Sequence, residues 1–280
     1  MNITILGNVC IDENQSENIS YHGVGGPPSF MHKILSQFPS VELSIIAPYG
    51  ADFLPYKKDL PLVNHATELE TLKYKNITQA GKRSQYAFNR EYAMFEDLIH
   101  SYRAKNTDAV VIAPLHAELN AQQIRSFLGD SNVPVFLLPQ GYFRAFEADN
   151  RVTPREFEEY SEVLSLVNFV IMSDQDHPQW MELAKQWSNN SGVTVIVTRG
   201  PDGATIFKYE DVIDVPTVPV NEHDIVDSVG SGDIFSISFA YWFIKSRDIV
   251  KSVTFANAIA RQCLFYAAEN LKVDVGEAGV

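Results

Sequence analysis

Short apolar segments alternate with helix-like segments along most of this chain, and the alternation restricts the fold more than any other feature. Between the later apolar segments, apolar residues recur at the three- and four-residue spacing of a helix. This order is typical of a mostly parallel sheet with helices on both faces. No stretch rich in Pro, Gly or Ser divides the chain, so we predict a single α/β domain over residues 1–280. Runs suited to buried strands occur at 3–9, 43–47, 109–113, 134–138, 169–172 and 193–197.

Local signals predict where the helices begin. Thr153 and Pro154 resemble an N-cap and a first-turn proline, and with the acidic Glu156 they predict a helix that continues to Val167. The last two predicted helices are strongly apolar, which indicates burial. The remaining predictions are helices at 120–127, 178–187, 233–244 and 250–268, and paired strands at 204–209 and 212–215.

A glycine-rich segment, Asp-Ser-Val-Gly-Ser-Gly-Asp at 227–233, leads directly into one of these apolar helices. The first N–H groups of a helix lack intrahelical partners and carry partial positive charge, and glycines let a ligand approach them closely. The amides of Gly230, Ser231 and Gly232 are therefore candidates to bind a phosphate. Asp233 is then placed to take the proton of an attacking hydroxyl. The alternative interpretation is a tight turn, with Asp233 only as a helix N-terminal charge.

Two features near the N-terminus are candidates for binding a substrate. Asp12 follows the first predicted strand, and ligands of open α/β sheets bind beyond the carboxyl ends of strands. Gly25 and Gly26 precede a helix that contains Phe30, and they would let a ligand lie against the backbone. The alternatives are a solvated loop acid at Asp12 and an ordinary structural turn at the glycines.

Residues 12–22 and 69–90 are polar, aromatic and extended in character, and we predict that they form a small β sheet beside the main one. Such a sheet would serve as a lid that excludes water from the site. A decorated sheet edge is the alternative. An exposed lid edge also invites pairing between copies, so monomer and homodimer both remain open.

The net charge of −13 argues against nucleic-acid binding and against attachment to an anionic membrane. No apolar run approaches the roughly 20 residues of a membrane span, and the N-terminus lacks the pattern of a signal peptide. We therefore expect a cytoplasmic location. Cys10 and Cys263 lie in apolar contexts and are interpreted as free, buried thiols.

Four segments in chain order resemble the ribokinase-like (PfkB-type) carbohydrate kinases over nearly the whole chain. The C-terminal signature of that family is Asp-Thr-x-Gly-Ala-Gly-Asp, which residues 227–233 match with two changes. The resemblance implies a ribokinase-like α/β fold and transfer of a phosphoryl group from ATP to a small sugar or polyol. The other three matching segments are 25–30, 197–204 and 255–258.

The resemblance also implies residue roles. Asp233 would be the general base, with the amides of Gly230, Ser231 and Gly232 around the phosphoryl group. Asp12, Gly25 and Gly26 would hold the substrate. The implied nucleotide-binding residues are Thr198, Gly200, Gly203 and Asn257, and Asp176 and Asp227 are the implied Mg²⁺-side carboxylates.

Two departures from the family pattern change the expectations. Phe30 stands where many members place an Asn that bonds the sugar, so the polar pattern of the substrate differs here. The segment Ser173–Asp176 replaces a Pro-Asn-x-x-Glu-like motif tied to Mg²⁺, and the shorter Asp176 would act through water. The alternative is that Asp174 and Asp176 are acids at a helix N-terminus.

A finer resemblance is to the myo-inositol kinase branch of the family. It is carried by residues 7–12 and 24–30, and by Gln140 preceding Arg144 by four positions. Gln140 and Arg144 would then face the polyol or the phosphate, while the alternative for Arg144 is a solvated surface position. Two other functions remain open, a nucleoside kinase in which Phe30 stacks on a base and a degenerate kinase used as a scaffold.

Overall fold

The computed structural model describes residues 1–15, 20–79, 82–90 and 95–278. Within them, eight strands form one sheet in the order β14-β13-β12-β11-β8-β7-β1-β4. The pairs from β4 to β12 are parallel, and only the β12–β13 and β13–β14 pairs are antiparallel. The strands are β1 (Asn2–Gly7), β4 (Glu42–Ile46), β7 (Ala109–Ala113), β8 (Val135–Leu137), β11 (Phe169–Ser173), β12 (Thr194–Thr198), β13 (Ala204–Lys208) and β14 (Asp211–Val215).

Helices cover both faces of this sheet, as predicted. Alternate residues of one strand belong to different apolar clusters: Val111 of β7 packs in one cluster, and Val110 packs in the other. The sheet is therefore buried on both sides, which explains why its strands are continuous apolar runs. The helices are α1 (Pro27–Leu35), α2 (Leu54–Lys57), α3 (Glu96–Ser101), α4 (Ala121–Leu128), α5 (Tyr160–Leu164), α6 (Trp180–Ser191), α7 (Ser231–Ser246) and α8 (Ile249–Cys263).

A small sheet with strand order β3-β2-β5-β6 lies outside the main one. Its strands are β2 (Cys10–Gln15), β3 (Ser20–Gly25), β5 (Lys73–Gln79) and β6 (Lys82–Phe88). They come from the two segments in which a lid was predicted, although 16–19 and 80–81 fall outside the described residues. The predicted strand 3–9 ends earlier, at Gly7, and the chain enters the small sheet after two further residues.

The helix predicted from Thr153 is wrong at its start. Thr153 and Pro154 belong to β10 (Val152–Pro154), which pairs antiparallel with β9 (Arg144–Phe146), and the helix is reduced to α5. The last predicted helix is also shorter than expected, because α8 ends at Cys263. Both cysteines are free and buried, as expected. The helices of the described residues include none with the length and apolar character that crossing a membrane requires.

Candidate active site

The glycine-rich segment forms the start of α7, as predicted. Gly230 is the N-cap residue and has a left-handed backbone with φ of +77°, which glycine adopts without strain. The N–H of Ser231 donates to the Ser228 carbonyl at 3.2 Å, so this predicted phosphate donor is used within the turn. In the described part of the chain, the N–H groups of Gly230, Gly232 and Asp233 have no acceptor. A cluster of main-chain donors therefore remains available to an anion at this helix end.

Asp233 lies in the first turn of α7 and is partly buried. Burial raises the pKa of its carboxyl from 3.8 to about 7. The Arg144 guanidinium opposes that rise in pKa, whereas the carboxylates of Asp176 and Asp12 add to it. We call these four residues the Asp233 cluster. A carboxyl whose pKa lies near neutrality is suited to accept and release protons.

Asp12 lies on β2, and its carboxylate occupies the space in which a side chain at position 25 would lie. A Cβ atom at Gly25 would lie 2.2 Å from Asp12 Oδ2, so only glycine leaves room for this carboxylate. The thiol of Cys10 donates to Asp12 Oδ1 at 3.3 Å. Asp12 belongs to the small sheet, as its place in the predicted segment 12–22 implied, and it is paired in register with Gly23.

Phe30 connects the N-terminal glycines with the α7 loop. It lies on α1, which begins after Gly26. Gly26 has a φ of +86°, and the Asn8 carbonyl occupies the place of a Cβ atom, so both features favour glycine there. A Cβ atom at Gly230 would lie 2.4 Å from Cδ1 of Phe30, so the ring packs directly against the α7 loop. Phe30 is only 6% exposed. This burial argues against a ring that is free to stack on a base.

Arg144 is held in place by the residues around it. Its Nη2 donates to Gln140 Oε1 at 2.8 Å, and its Nη1 donates to the Tyr74 hydroxyl at 3.3 Å. Arg144 is partly buried and lies on β9, so it is not a solvated helix residue. Its charge acts on both Asp233 and Asp176. Tyr74 was missed in the sequence, where its position between two lysines on β5 was the available signal.

A second set of polar residues lies near Arg144, and it was not predicted from the sequence. Asn8 donates to Glu118 Oε1 at 2.8 Å and accepts from the N–H of Leu115 at 2.7 Å. Burial raises the pKa of Glu118 well above its usual range. Burial lowers the pKa of His116 to about 3, and Arg144 contributes to that shift. Asn8 thus holds the loop after β7 through Leu115 and Glu118. In the same loop, the Leu115 carbonyl accepts a hydrogen bond from Arg144 at 3.4 Å.

The predicted nucleotide-binding residues lie on and after β12 and on α8, at what we call the β12–α8 edge: Thr198, Gly200, Gly203 and Asn257. Gly203 has a φ of +84° and faces the Val215 carbonyl, which leaves no room for a Cβ atom. The Asn257 amide donates to that same carbonyl at 3.1 Å. Gly200 has a φ of +52°, is exposed, and has open space where a Cβ atom would lie. Much of this edge therefore serves the fold directly.

The two carboxylates proposed for the Mg²⁺ side differ in their surroundings. Asp176 Oδ2 accepts from the N–H of Ser173 at 2.8 Å, and burial raises its pKa. Asp227 accepts from the N–H groups of Val229 and Ala268 at 2.9 and 3.1 Å, which ties the α7 loop to the C-terminal segment. The described residues contain no group of three or more His, Cys, Asp and Glu side chains arranged to hold a metal.

Comparison with known families matches residues 145–271 to the model of the pfkB family of carbohydrate kinases. The matched range, a little under half of the chain, is therefore similar to a pfkB family domain. The matched range includes Asp176, Asp233 and the whole β12–α8 edge, whereas Asp12 and Arg144 precede it. The structure thus adds the N-terminal half of the Asp233 cluster to the part that the family model matches.

Two curated proteins align with parts of the chain. One is a Pyrococcus horikoshii protein named as a sugar kinase, 35% identical over 79 residues, which are 25% of this chain and 24% of that protein. The other is the fructosamine kinase FrlD of Bacillus subtilis, 31% identical over 119 residues, which are 41% of each chain. The chain therefore matches well under two thirds of the length of either relative.

Solved structures of ribokinase-family kinases resemble nearly the whole chain in fold. A pyrophosphate-dependent kinase of the ribokinase family, complexed with a pyrophosphate analog and myo-inositol, has a TM-score of 0.75 at 16% identity, with 92% of this chain and 93% of that chain covered. Arabidopsis thaliana ribokinase, complexed with ribose and ATP, has a TM-score of 0.72 at 16% identity, with coverage of 99% and 96%. The Methanocaldococcus jannaschii nucleoside kinase has a TM-score of 0.72 at 18% identity, with coverage of 99% and 97%. The fold is therefore ribokinase-like, as expected from the sequence.

Proposed function

We propose that the protein is a kinase that transfers a phosphoryl group from ATP to a hydroxyl of a small sugar or polyol. The observation that carries this proposal is the position of Asp233, which has a pKa of about 7 and lies at a helix end with available N–H groups. A scaffold protein has no need of a half-buried acid whose pKa is raised in this way.

In the proposed reaction, Asp12 accepts a hydrogen bond from the acceptor and orients it. Asp233 takes the proton of the attacking hydroxyl as the phosphoryl group moves in line. The N–H groups of Gly230, Gly232 and Asp233 donate to the equatorial oxygens of the transferring group, where negative charge is present during transfer. Arg144 adds a fixed positive charge to the same region, and Gln140 holds its guanidinium.

The proposed donor is ATP with Mg²⁺, at the β12–α8 edge. Mg²⁺ is commonly held by one or two carboxylates together with phosphate oxygens and water. Asp176 fits that pattern. Its Oδ2 accepts a hydrogen bond from the N–H of Ser173, and its other oxygen accepts none from a described residue. When bound, Mg²⁺ would offset the negative charge of the phosphates.

Finer assignments of the acceptor and of the phosphoryl donor depend on the ligands and names of related structures. The kinase complexed with myo-inositol supports a cyclitol as the acceptor, and its pyrophosphate analog makes pyrophosphate a second donor to test. A nucleoside acceptor is supported by the archaeal nucleoside kinase, but the burial of Phe30 disfavours stacking on a base.

The test is an acceptor panel of sugars, polyols including myo-inositol, sugar acids, sugar phosphates and nucleosides, each with ATP or pyrophosphate and with or without Mg²⁺. Release of ADP or phosphate reports transfer, and mass spectrometry identifies the product. We expect phosphorylation of at least one sugar or polyol with ATP. Absence of transfer from both donors, in a protein that binds nucleotide by thermal shift, would support the scaffold alternative instead.

A further inference from the structure

A cavity of about 360 Å³ extends from the proposed acceptor site along α1. Asp12 and Gly23 of the small sheet line one part of it, and Phe30 and Val229 connect it with the α7 loop. This volume is at the lower end of the range of small-molecule sites. The cavity is therefore large enough for part of the acceptor to extend away from the reacting hydroxyl.

Three positively charged side chains line the same cavity. They are Lys33 on α1, Lys57 at the end of α2, and Lys58 directly after it. His32 also lines the cavity. Lys33 lies three residues after Phe30, on the same face of α1, and its Nζ is 5.2 Å from the Phe30 ring centroid. The positive charge therefore begins about 5 Å beyond Phe30 along one helix face.

These ammonium groups have no carboxylate partner. Among the described residues, no Asp or Glu oxygen lies within the 4.0 Å ion-pair distance of Lys33, Lys57 or Lys58. Lys33 Nζ donates to the Ala268 carbonyl at 2.8 Å, which leaves two of its three hydrogens. Lys57 Nζ lies 5.7 Å from the Tyr49 ring centroid.

Acidic residues also line the cavity. Asp59 and Glu269 are exposed, as is Lys58, whereas Lys33 and Lys57 are partly buried. Burial lowers the pKa of Lys33; the Glu269 carboxylate opposes this shift, Lys58 adds to it, and Asp227 opposes it. The ammonium group of Lys33 is therefore disfavoured by burial and by the like charge of Lys58, and an anion bound beside it would offset both effects.

We infer that the acceptor is anionic, a sugar or polyol whose carboxylate or phosphate binds Lys33 and Lys57 while its reacting hydroxyl lies between Asp12 and Asp233. This inference rests on the proposed kinase function and narrows its substrate class. The two anionic groups share the same recognition chemistry, a set of charge-assisted hydrogen bonds from ammonium groups.

The test compares matched acceptors: a neutral sugar, its aldonic acid and its monophosphate. The variants are Lys33→Met and Lys57→Met, which keep the length of the aliphatic side chain, and the control is Lys185→Met, an exposed lysine on α6. We expect wild-type kcat/KM to be higher for an anionic acceptor than for its neutral counterpart. Each cavity variant should lower that anionic value about tenfold or more through KM, as expected for a lost charge-assisted bond. The neutral acceptor and the control variant should change less than about threefold.

The outcomes separate this inference from the proposed function. Turnover that prefers neutral acceptors, or equal losses on neutral and anionic acceptors, would overturn the anionic assignment and leave the kinase intact. If no acceptor reacts, calorimetric binding of the aldonic acid and the monophosphate to wild type and both cavity variants decides the matter. Binding that weakens in both cavity variants supports the site, and binding that is absent or unchanged rejects it. Thermal unfolding of each variant checks that Lys33→Met and Lys57→Met still fold.

Discussion

The Asp233 cluster and the β12–α8 edge are both made of residues predicted from the sequence, but the fold uses them in opposite ways. In the cluster, two carboxylates and one guanidinium lie close enough to Asp233 to shift its pKa. At the edge, Gly203 and Asn257 are committed to the chain around Val215, and Gly200 is exposed. The cluster holds charges that burial disfavours, whereas the edge holds polar groups that already have partners.

This difference shows which site residues cost the fold stability and which ones contribute to it. A burial-raised pKa means that the ionised form of Asp233 is less stable in the folded protein than in water, so the fold carries a cost there. A side chain such as Asn257, which satisfies a main-chain carbonyl, stabilises the fold instead. Substitutions in the cluster should therefore mainly change activity, and substitutions at the edge should mainly change stability.

The largest effect is expected from Asp233→Asn, which removes the proposed base with little change in shape. We expect turnover to fall by about 10²–10³ or more, because general-base catalysis contributes at least this much. Product release at saturating donor and acceptor measures it, and a nucleotide thermal shift should be retained. The matched control is Asp130→Asn, an exposed acid after α4, with unchanged turnover. Near-normal turnover in Asp233→Asn would refute the base assignment.

A comparison of two glycines extends the contrast to the backbone. Gly230→Ala combines a positive φ with a clash against the Phe30 ring, so we expect a loss of about 2–4 kcal/mol in the free energy of unfolding. Gly200→Ala has a positive φ but open space, and should lose only about 1–2 kcal/mol. Chemical denaturation measures both. Equal losses at the two positions would mean that the contact between Phe30 and the α7 loop is not tight.

The pH dependence should reveal Asp233 in both activity and stability. The base must be deprotonated, so kcat/KM should fall as pH decreases below about 7. The folded pKa of about 7 exceeds the ordinary value of 3.8, so between these values the folded state binds more protons than the unfolded chain. Its contribution to stability is therefore present at low pH and is lost as pH rises through 7.

Asp233→Asn isolates that contribution, because the other titrating groups remain. At pH 8 the variant should be more stable than wild type by about 1–3 kcal/mol, and the difference should shrink toward pH 4. Urea denaturation across this pH range measures it. A difference that stays constant with pH would show that Asp233 does not titrate with a raised pKa.

The smallest effect is expected at the β12–α8 edge. Asn257→Ala removes the bond to the Val215 carbonyl and should lower the free energy of unfolding by about 1–2 kcal/mol. The acceptor KM should change less than twofold, since Asn257 lies outside the Asp233 cluster. A large rise in the donor KM would instead assign Asn257 a direct part in binding the nucleotide. Thr254→Ala, an exposed change on α8, is the control.

The sequence predicted the main sheet well because its strands are buried on both faces and appear as continuous apolar runs. The start of α4 was also predictable, since Asn120 and Gln123 form a capping box within four residues. Thr153 and Pro154 offered a similar local signal and gave the wrong element. There the antiparallel pairing with residues 144–146, a short distance earlier in the chain, outweighed the local preference for a helix start.

The predictable part of the site was likewise the part whose residues are contiguous in sequence. The α7 loop could be predicted because glycines, helix start and acid are contiguous in sequence. The packing of Phe30 on Gly230 and the bond from Arg144 to Tyr74 join residues that are 200 and 70 positions apart, so no local pattern contains them. Asp12 and Asp233 were brought together beforehand by the resemblance to the ribokinase-like kinases, which assigned both residues to one site.

Asp12 reaches the catalytic region from β2, a strand of the small sheet, and not from the main sheet that carries most of the core. The part of the molecule that could cover the acceptor is thus also a source of negative potential at Asp233. Any rotation of the small sheet away from α7 would withdraw a carboxylate and make the remaining acid easier to ionise. A small sheet that moved over a ligand would therefore change the proton affinity of the base in the same motion.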